Sequence, residues 1–255
     1  MAQVRTNVPS RRSLCLVRPT FRPLPAFTPY LVVTVVHLVA IAAGPPGLVA
    51  ATKPLLMPAL LVALVLALPV RRSPLLLWGG LALVFSWLGD VLLQNPGDIG
   101  FLLGMGAFGL AHLAYIALYL GPLRTRRVPG WAVSLGVVWW STMVAVLAFW
   151  LGGLLVPVAL YGLVLGAAAV CALATRPLVA VGAVVFLVSD TLLALDRFLP
   201  GFSVLDLDLA IMLAYCLGQG LIVAGVVTVA RRAAGFANAG QLVPAQSASG
   251  EPGSI

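Results

Sequence analysis

Apolar residues run in long, nearly unbroken blocks along this chain, without the strict alternation of a half-buried strand. Blocks of about 20 residues recur, each long enough as a helix to cross a hydrocarbon core of roughly 30 Å. Eight are delimited: Phe27–Ala43, Leu48–Val70, Leu75–Leu93, Gly100–Leu120, Trp131–Trp150, Gly153–Ala174, Leu178–Leu195 and Leu207–Ala230. The interruptions are GPPG, RRSP, QNPGD, GPLRTRRVPG, LGG, TRP and DRFLPGFSVLD, each rich in Pro, Gly or charge, as turns are. The pattern predicts an all-α, polytopic membrane helical bundle of about eight transmembrane helices. A β-barrel does not fit, because its strands would alternate apolar and polar residues.

Composition and charge sharpen this. Hydrophobic residues make up 62% of the 255 positions and charged ones 9%, with a mean hydropathy of +1.10. The net charge of +8 could suggest a nucleic-acid partner, but its placement argues otherwise. Arg5, Arg11, Arg12, Arg18 and Arg22 precede the first span; Arg71 and Arg72 follow the second; Arg124, Arg126 and Arg127 the fourth; Arg176 the sixth; Arg231 and Arg232 the eighth. With eight spans all of these fall on one side. Arg197 stands on the other, with Asp98, Asp196, Asp206 and Asp208. This positive-inside pattern predicts that both termini are cytoplasmic, in a multi-pass protein of the cell (inner) membrane, with no nucleic acid bound. Residues 1–26 then form a basic cytoplasmic extension without the pattern of a signal peptide. Residues 27–232 form the membrane domain, and the Ala-, Gly-, Ser-, Gln- and Pro-rich residues 233–255 a disordered tail. Asp98, Asp206 and Asp208 stand at helix starts, where carboxylates meet free N–H groups. Cys15, Cys171 and Cys216 lack metal-type spacing and suit small apolar fillers.

Few polar side chains remain inside the spans: His37, Lys53, Ser86, Asp90, His112, Tyr115, Tyr161, Ser189, Asp190, Tyr215 and Gln219. Ionisable groups at membrane depth are costly and usually face a bundle interior or wet cavity, although single polar residues often only join helices. Counted along alternating spans, Lys53, Asp90 and Asp190 all fall within roughly 5–8 Å of the outer boundary. Tyr215 and Gln219 sit one turn apart, somewhat deeper, and His112 and Tyr115 share a face near mid-membrane. Pro54 and Pro58 predict a bend in the second span beside Lys53, of a kind tolerated where backbone lines a cavity. Gly162 and Gly166 suggest close helix packing. The similar segments GDVLL and SDTLL, four spans apart, would fit a parallel four-plus-four repeat.

Two carboxyl groups in a partly dry site need not share one protonation state. If an ammonium holds one as the anion, the other can stay protonated and act as an acid. Such a pair suits reactions through an oxocarbenium-like cation. The sequence does not say which aspartate is acid and which is base. No GxSxG elbow, HExxH pair or phosphate-binding glycine loop is present.

The segments TKPLLMP (Thr52–Pro58), FSWLGDVLL (Phe85–Leu93), FLLGMGAFGLAHLAY (Phe101–Tyr115), GAVVFLVSDTLLALDRF (Gly182–Phe198) and AYCLGQGLIV (Ala214–Val223) together resemble the YhhN family of lysoplasmalogenase-like integral membrane proteins. The resemblance covers about Val49 to Arg231. It implies hydrolysis of the vinyl ether bond of a lysoplasmalogen to a fatty aldehyde and a glycerophospho-alcohol, without a cofactor or metal. Asp90 and Asp190 match the family's two aspartate motifs and are the expected acid and base. Lys53 is expected to tune them or meet the lipid phosphate, and Ser86, His112, Tyr115, Tyr215 and Gln219 to bind substrate or orient water. Two other classes use the same residues. A proton-coupled transporter would expose Asp90 to both sides in turn, and a metal-dependent lipid hydrolase would use His37, His112 and the aspartates.

Overall fold

A computed structural model describes residues 23–70, 72–202 and 207–240. Arg5, Arg11, Arg12, Arg18, Arg22, Arg71, Asp206 and residues 241–255 lie outside the described residues, and with them most of the expected extension and tail.

Among the described residues the chain forms eight α-helices: α1 (Pro23–Ala43), α2 (Pro46–Ala67), α3 (Pro74–Leu92), α4 (Asp98–Leu120), α5 (Gly130–Leu151), α6 (Leu155–Ala172), α7 (Pro177–Phe198) and α8 (Asp208–Gly240). The breaks seen in the sequence are helix starts for a simple reason. Pro46, Pro74 and Pro177 occupy the first turn of α2, α3 and α7, where a missing N–H does no harm. The Ser73 side chain accepts a hydrogen bond from the Leu76 N–H (3.3 Å) and caps α3. Asp98 and Asp208 open α4 and α8. Asp98 sits inside the first turn, after the N-cap Gly97.

Seven segments are long and apolar enough to cross a membrane. One of them, residues 130–172, contains both α5 and α6. A straight helix of that length would reach about 65 Å, twice a hydrocarbon core. The chain instead passes through a 3-10 turn at Gly152–Leu154, with Gly152 at φ +50°. The two helices then lie side by side: Trp140 Nε1–H donates to the Ala159 carbonyl (2.8 Å). Gly162 and Gly166, expected to bring helices close, make room for Trp140 and Trp139 of α5.

α2 is continuous α-helix through Pro54 and Pro58, beside Lys53. α8 runs on to Gly240, beyond the expected span end at Ala230 and through the first residues of the expected tail.

The bundle is a polytopic membrane fold with polarity turned inward. Side chains such as Val35, Leu135, Leu160 and Phe149 are exposed on its outside, while His37, Ser86, Asp90, His112 and Gln219 are buried. α8 packs against α7, α1, α2 and α3, and α5 rests on α6 and α7 at the periphery. Polar contacts at the ends agree with the charge pattern. Arg126 Nε donates to the Leu173 carbonyl (2.8 Å), and Arg231 Nε to the Ala67 carbonyl (3.1 Å). These arginines therefore meet the free carbonyls at the C-terminal ends of α6 and α2. At the opposite end Arg197 meets Asp98.

Candidate active site

The costliest residues in the chain converge. Asp90 on α3, Asp190 on α7, Lys53 on α2 and Tyr215 on α8 line one cavity of about 200 Å³, roomy enough for several water molecules. Tyr161, Ser189 and Arg197 also line it, and apolar side chains such as Phe101, Met105, Phe108 and Met212 make up much of the remaining wall.

Each aspartate is held by a tyrosine from another helix. Tyr215 O–H donates to Asp90 Oδ2 at 2.7 Å, and Tyr161 O–H of α6 donates to Asp190 Oδ2. Asp90 is 2% exposed and Asp190 half-buried. The two carboxyl groups lie within electrostatic reach of one another. Lys53 lines the same cavity, and among the described residues no direct ion pair links it to either aspartate. Each carboxyl group thus has its own tyrosine, and the two differ in burial, Asp90 being the deeper.

The remaining expected residues sit outside the cavity lining. Tyr115 O–H donates to Gln219 Oε1, and Gln219 Nε2 donates to Ser86 Oγ (3.2 Å). Ser86 is one turn from Asp90 on α3, and Gln219 one turn from Tyr215 on α8. Asp90–Tyr215 and Ser86–Gln219 are therefore successive rungs between the same two helices. The deeper rung fixes the upper one, since both its groups are buried and each has a partner. His112 Nδ1–H donates to the Phe108 carbonyl one turn back (2.7 Å). Its ring lies against the edges of Phe186 (4.9 Å) and Tyr161 (5.8 Å). His37 Nδ1 pairs with Thr52 Oγ1 at 2.7 Å, and that hydroxyl donates to the Leu48 carbonyl. The two histidines therefore have separate partners on separate helices.

Sequence reasoning passed over two residues of this cavity. Tyr161 was visible as a polar group in the sixth block, but nothing marked it as the partner of Asp190. Arg197, visible as the one arginine on its side, also lines the cavity.

A multi-helix membrane bundle enclosing two tyrosine-held carboxyl groups and an ammonium belongs to the class of polytopic membrane proteins with a buried polar site. Within that class the chain is a member of the YhhN family, which it matches over residues 48–226. It is 35% identical over 217 residues to proteins named lysoplasmalogenase from Mycobacterium bovis and Mycobacterium tuberculosis, an alignment covering 78% of this chain and 79% of each relative. No solved structure matches it.

Proposed function

We propose that this protein is a membrane hydrolase of the lysoplasmalogenase type, cleaving the vinyl ether bond of a single-tailed alkenyl glycerophospholipid. The observation that carries this reading is the shared cavity of Asp90 and Asp190 with Lys53. Asp190, held by Tyr161, acts as the acid and protonates the vinyl carbon beta to the ether oxygen. The resulting oxocarbenium ion is steadied by the Asp90 carboxylate, with Lys53 in the same cavity wall. Asp90 then takes a proton from the attacking water. The hemiacetal collapses to a fatty aldehyde and a glycerophospho-alcohol, its hydroxyl proton ending on the leaving oxygen, and the proton that Asp90 took from water passes to Asp190, which restores both carboxyl groups. An amphiphile with one tail reaches the cavity sideways from the bilayer. The arginine pattern supports eight spans with both termini in the cytoplasm of the cell that carries it.

Purified protein in detergent or nanodiscs is expected to release aldehyde from a lysoplasmalogen and none from its saturated 1-alkyl analogue, which lacks the carbon to be protonated. Accumulation of intact lipid in sealed vesicles without aldehyde would instead identify a carrier. In the same assay Tyr161→Phe and Tyr215→Phe are each expected to lower turnover by roughly ten- to a hundredfold, the effect of removing one hydrogen bond to a charged partner. Full turnover in both would remove the tyrosines from the account.

A further inference from the structure

Two cations line the cavity, Lys53 on α2 and Arg197 on α7. Arg197 lies seven residues beyond Asp190 on α7, two turns along the same face and about 10 Å further toward the end of the helix. Its guanidinium is stacked on Phe101 of α4, 4.0 Å from the ring centroid, with Phe198 on another side at 5.6 Å. Its ionic partner is Asp98, at 3.9 Å, and both side chains are open to solvent, at 38% and 74% exposure. That distance exceeds a hydrogen bond. The guanidinium fork is thus positioned by aromatic faces in the wall of the cavity, with no hydrogen bond from its N–H donors to another of the described residues.

On the far side of Asp190 the surroundings are different. Asp190, Tyr161, Val158 and Ala194 also line a smaller slot, of about 50 Å³, that reaches toward Trp139 and Met143 of α5. This slot is almost wholly apolar. Asp190 therefore stands between a space ending at a guanidinium and a space walled by hydrocarbon and indole. A vinyl ether occupies the same place in a lysoplasmalogen, between a phosphate one extended glycerol away and an alkyl tail.

We propose that Arg197 is the binding residue for the phosphodiester of a single-tailed phospholipid, with the tail leaving through the slot beside α5. The assignment rests on the hydrolase reading for the identity of the bond at Asp190, but not for the binding itself. A guanidinium held over an aromatic ring can take two phosphate oxygens side by side, which an ammonium cannot. Asp98 serves as a loose counter-ion that the phosphate displaces.

The test is binding of a ligand that cannot react. A 1-O-alkyl lysophosphatidylethanolamine and the corresponding 1-O-alkylglycerol, which has the same tail and no phosphate, are titrated into the full chain in nanodiscs. Arg197→Gln is expected to weaken the phospholipid by roughly ten- to a hundredfold and to leave the alkylglycerol unchanged. Arg197→Lys, which keeps the charge without the fork, is expected to fall between. Asp98→Asn, which frees the guanidinium, is expected to tighten the phospholipid about two- to fivefold, the modest effect of an exposed pair. Equal weakening of both ligands by Arg197→Gln, or no change in either, would each overturn the assignment. If Arg197→Gln proves misfolded, unchanged phospholipid affinity in Asp98→Asn overturns it on its own. Selective binding by a wild-type protein that releases no aldehyde would reject the hydrolase reading and leave Arg197 in place.

Discussion

Asp90→Asn and Asp190→Asn are each expected to reduce aldehyde release by roughly a hundredfold to ten-thousandfold, the range for loss of a positioned acid or base. The amide has nearly the shape of the carboxyl and still accepts a hydrogen bond from Tyr215 or Tyr161. The geometry of both tyrosine contacts is therefore retained, while the ability to give or take the proton is lost. Thermal stability is expected to hold or rise, because a buried carboxyl is replaced by a neutral group. Since the two carboxyl groups act on one intermediate, the double variant is expected to be no slower than the slower single variant. A loss that multiplied across the two would mean that they serve independent steps.

The second large effect is expected far from the chemistry. α7 and α8 touch backbone to backbone at one crossing. A Cβ on Gly182 would meet the Gly218 carbonyl oxygen and the Ile222 nitrogen, both at 2.8 Å, and one on Gly218 would meet the Gly182 oxygen and the Phe186 nitrogen at 2.9 Å. No rotamer change relieves a clash with backbone, so the helices must part. Gly182→Ala and Gly218→Ala are each expected to cost about 1–3 kcal/mol, seen as a drop of several degrees in the thermal midpoint in detergent. Activity should fall with stability, because α7 carries Asp190 and α8 carries Tyr215, one turn before Gly218. Gly106→Ala on α4, with open space around the position, is the control. It is expected to be neutral or slightly stabilising, as alanine is the better helix former. Equal melting of all three variants would mean that the crossing is not a packing constraint.

The helices were legible because lipid demands long apolar runs and because Pro46, Pro74 and Pro177 stand where helices start. The two aspartates and Lys53 were legible for a related reason: charge among apolar residues stands out, and alternating spans give each group a depth. Depth along a helix says little about direction around it. Ser86, His112, Tyr115 and Gln219 were expected to bind substrate or orient water, yet Ser86, Tyr115 and Gln219 bond one another across helices and His112 bonds the Phe108 carbonyl of its own helix, all outside the cavity lining. The pairing of Tyr161 with Asp190 joins positions on two helices and has no local signature. Arg197 was absorbed by the topology argument, which uses the sign of a charge and ignores its neighbours. The end of α8 was placed at Ala230 because Arg231 and Arg232 follow. A membrane boundary is not a helix end, however: Arg231 turns to the Ala67 carbonyl and the backbone continues to Gly240. The glycine crossing was missed because Gly182 and Gly218 belong to different blocks, whereas Gly162 and Gly166 share one and caught attention first.

The central claim is that a carboxyl group in this cavity protonates the vinyl carbon beta to the ether oxygen, and turnover in heavy water tests it most directly. With a lysoplasmalogen substrate, the aldehyde formed in D₂O is trapped as it appears and its mass is read. One deuterium on the carbon next to the aldehyde carbon is the predicted result, with that product suppressed in Asp190→Asn. Aldehyde without that deuterium, or labelled product formed at the wild-type rate by Asp190→Asn, would contradict the account.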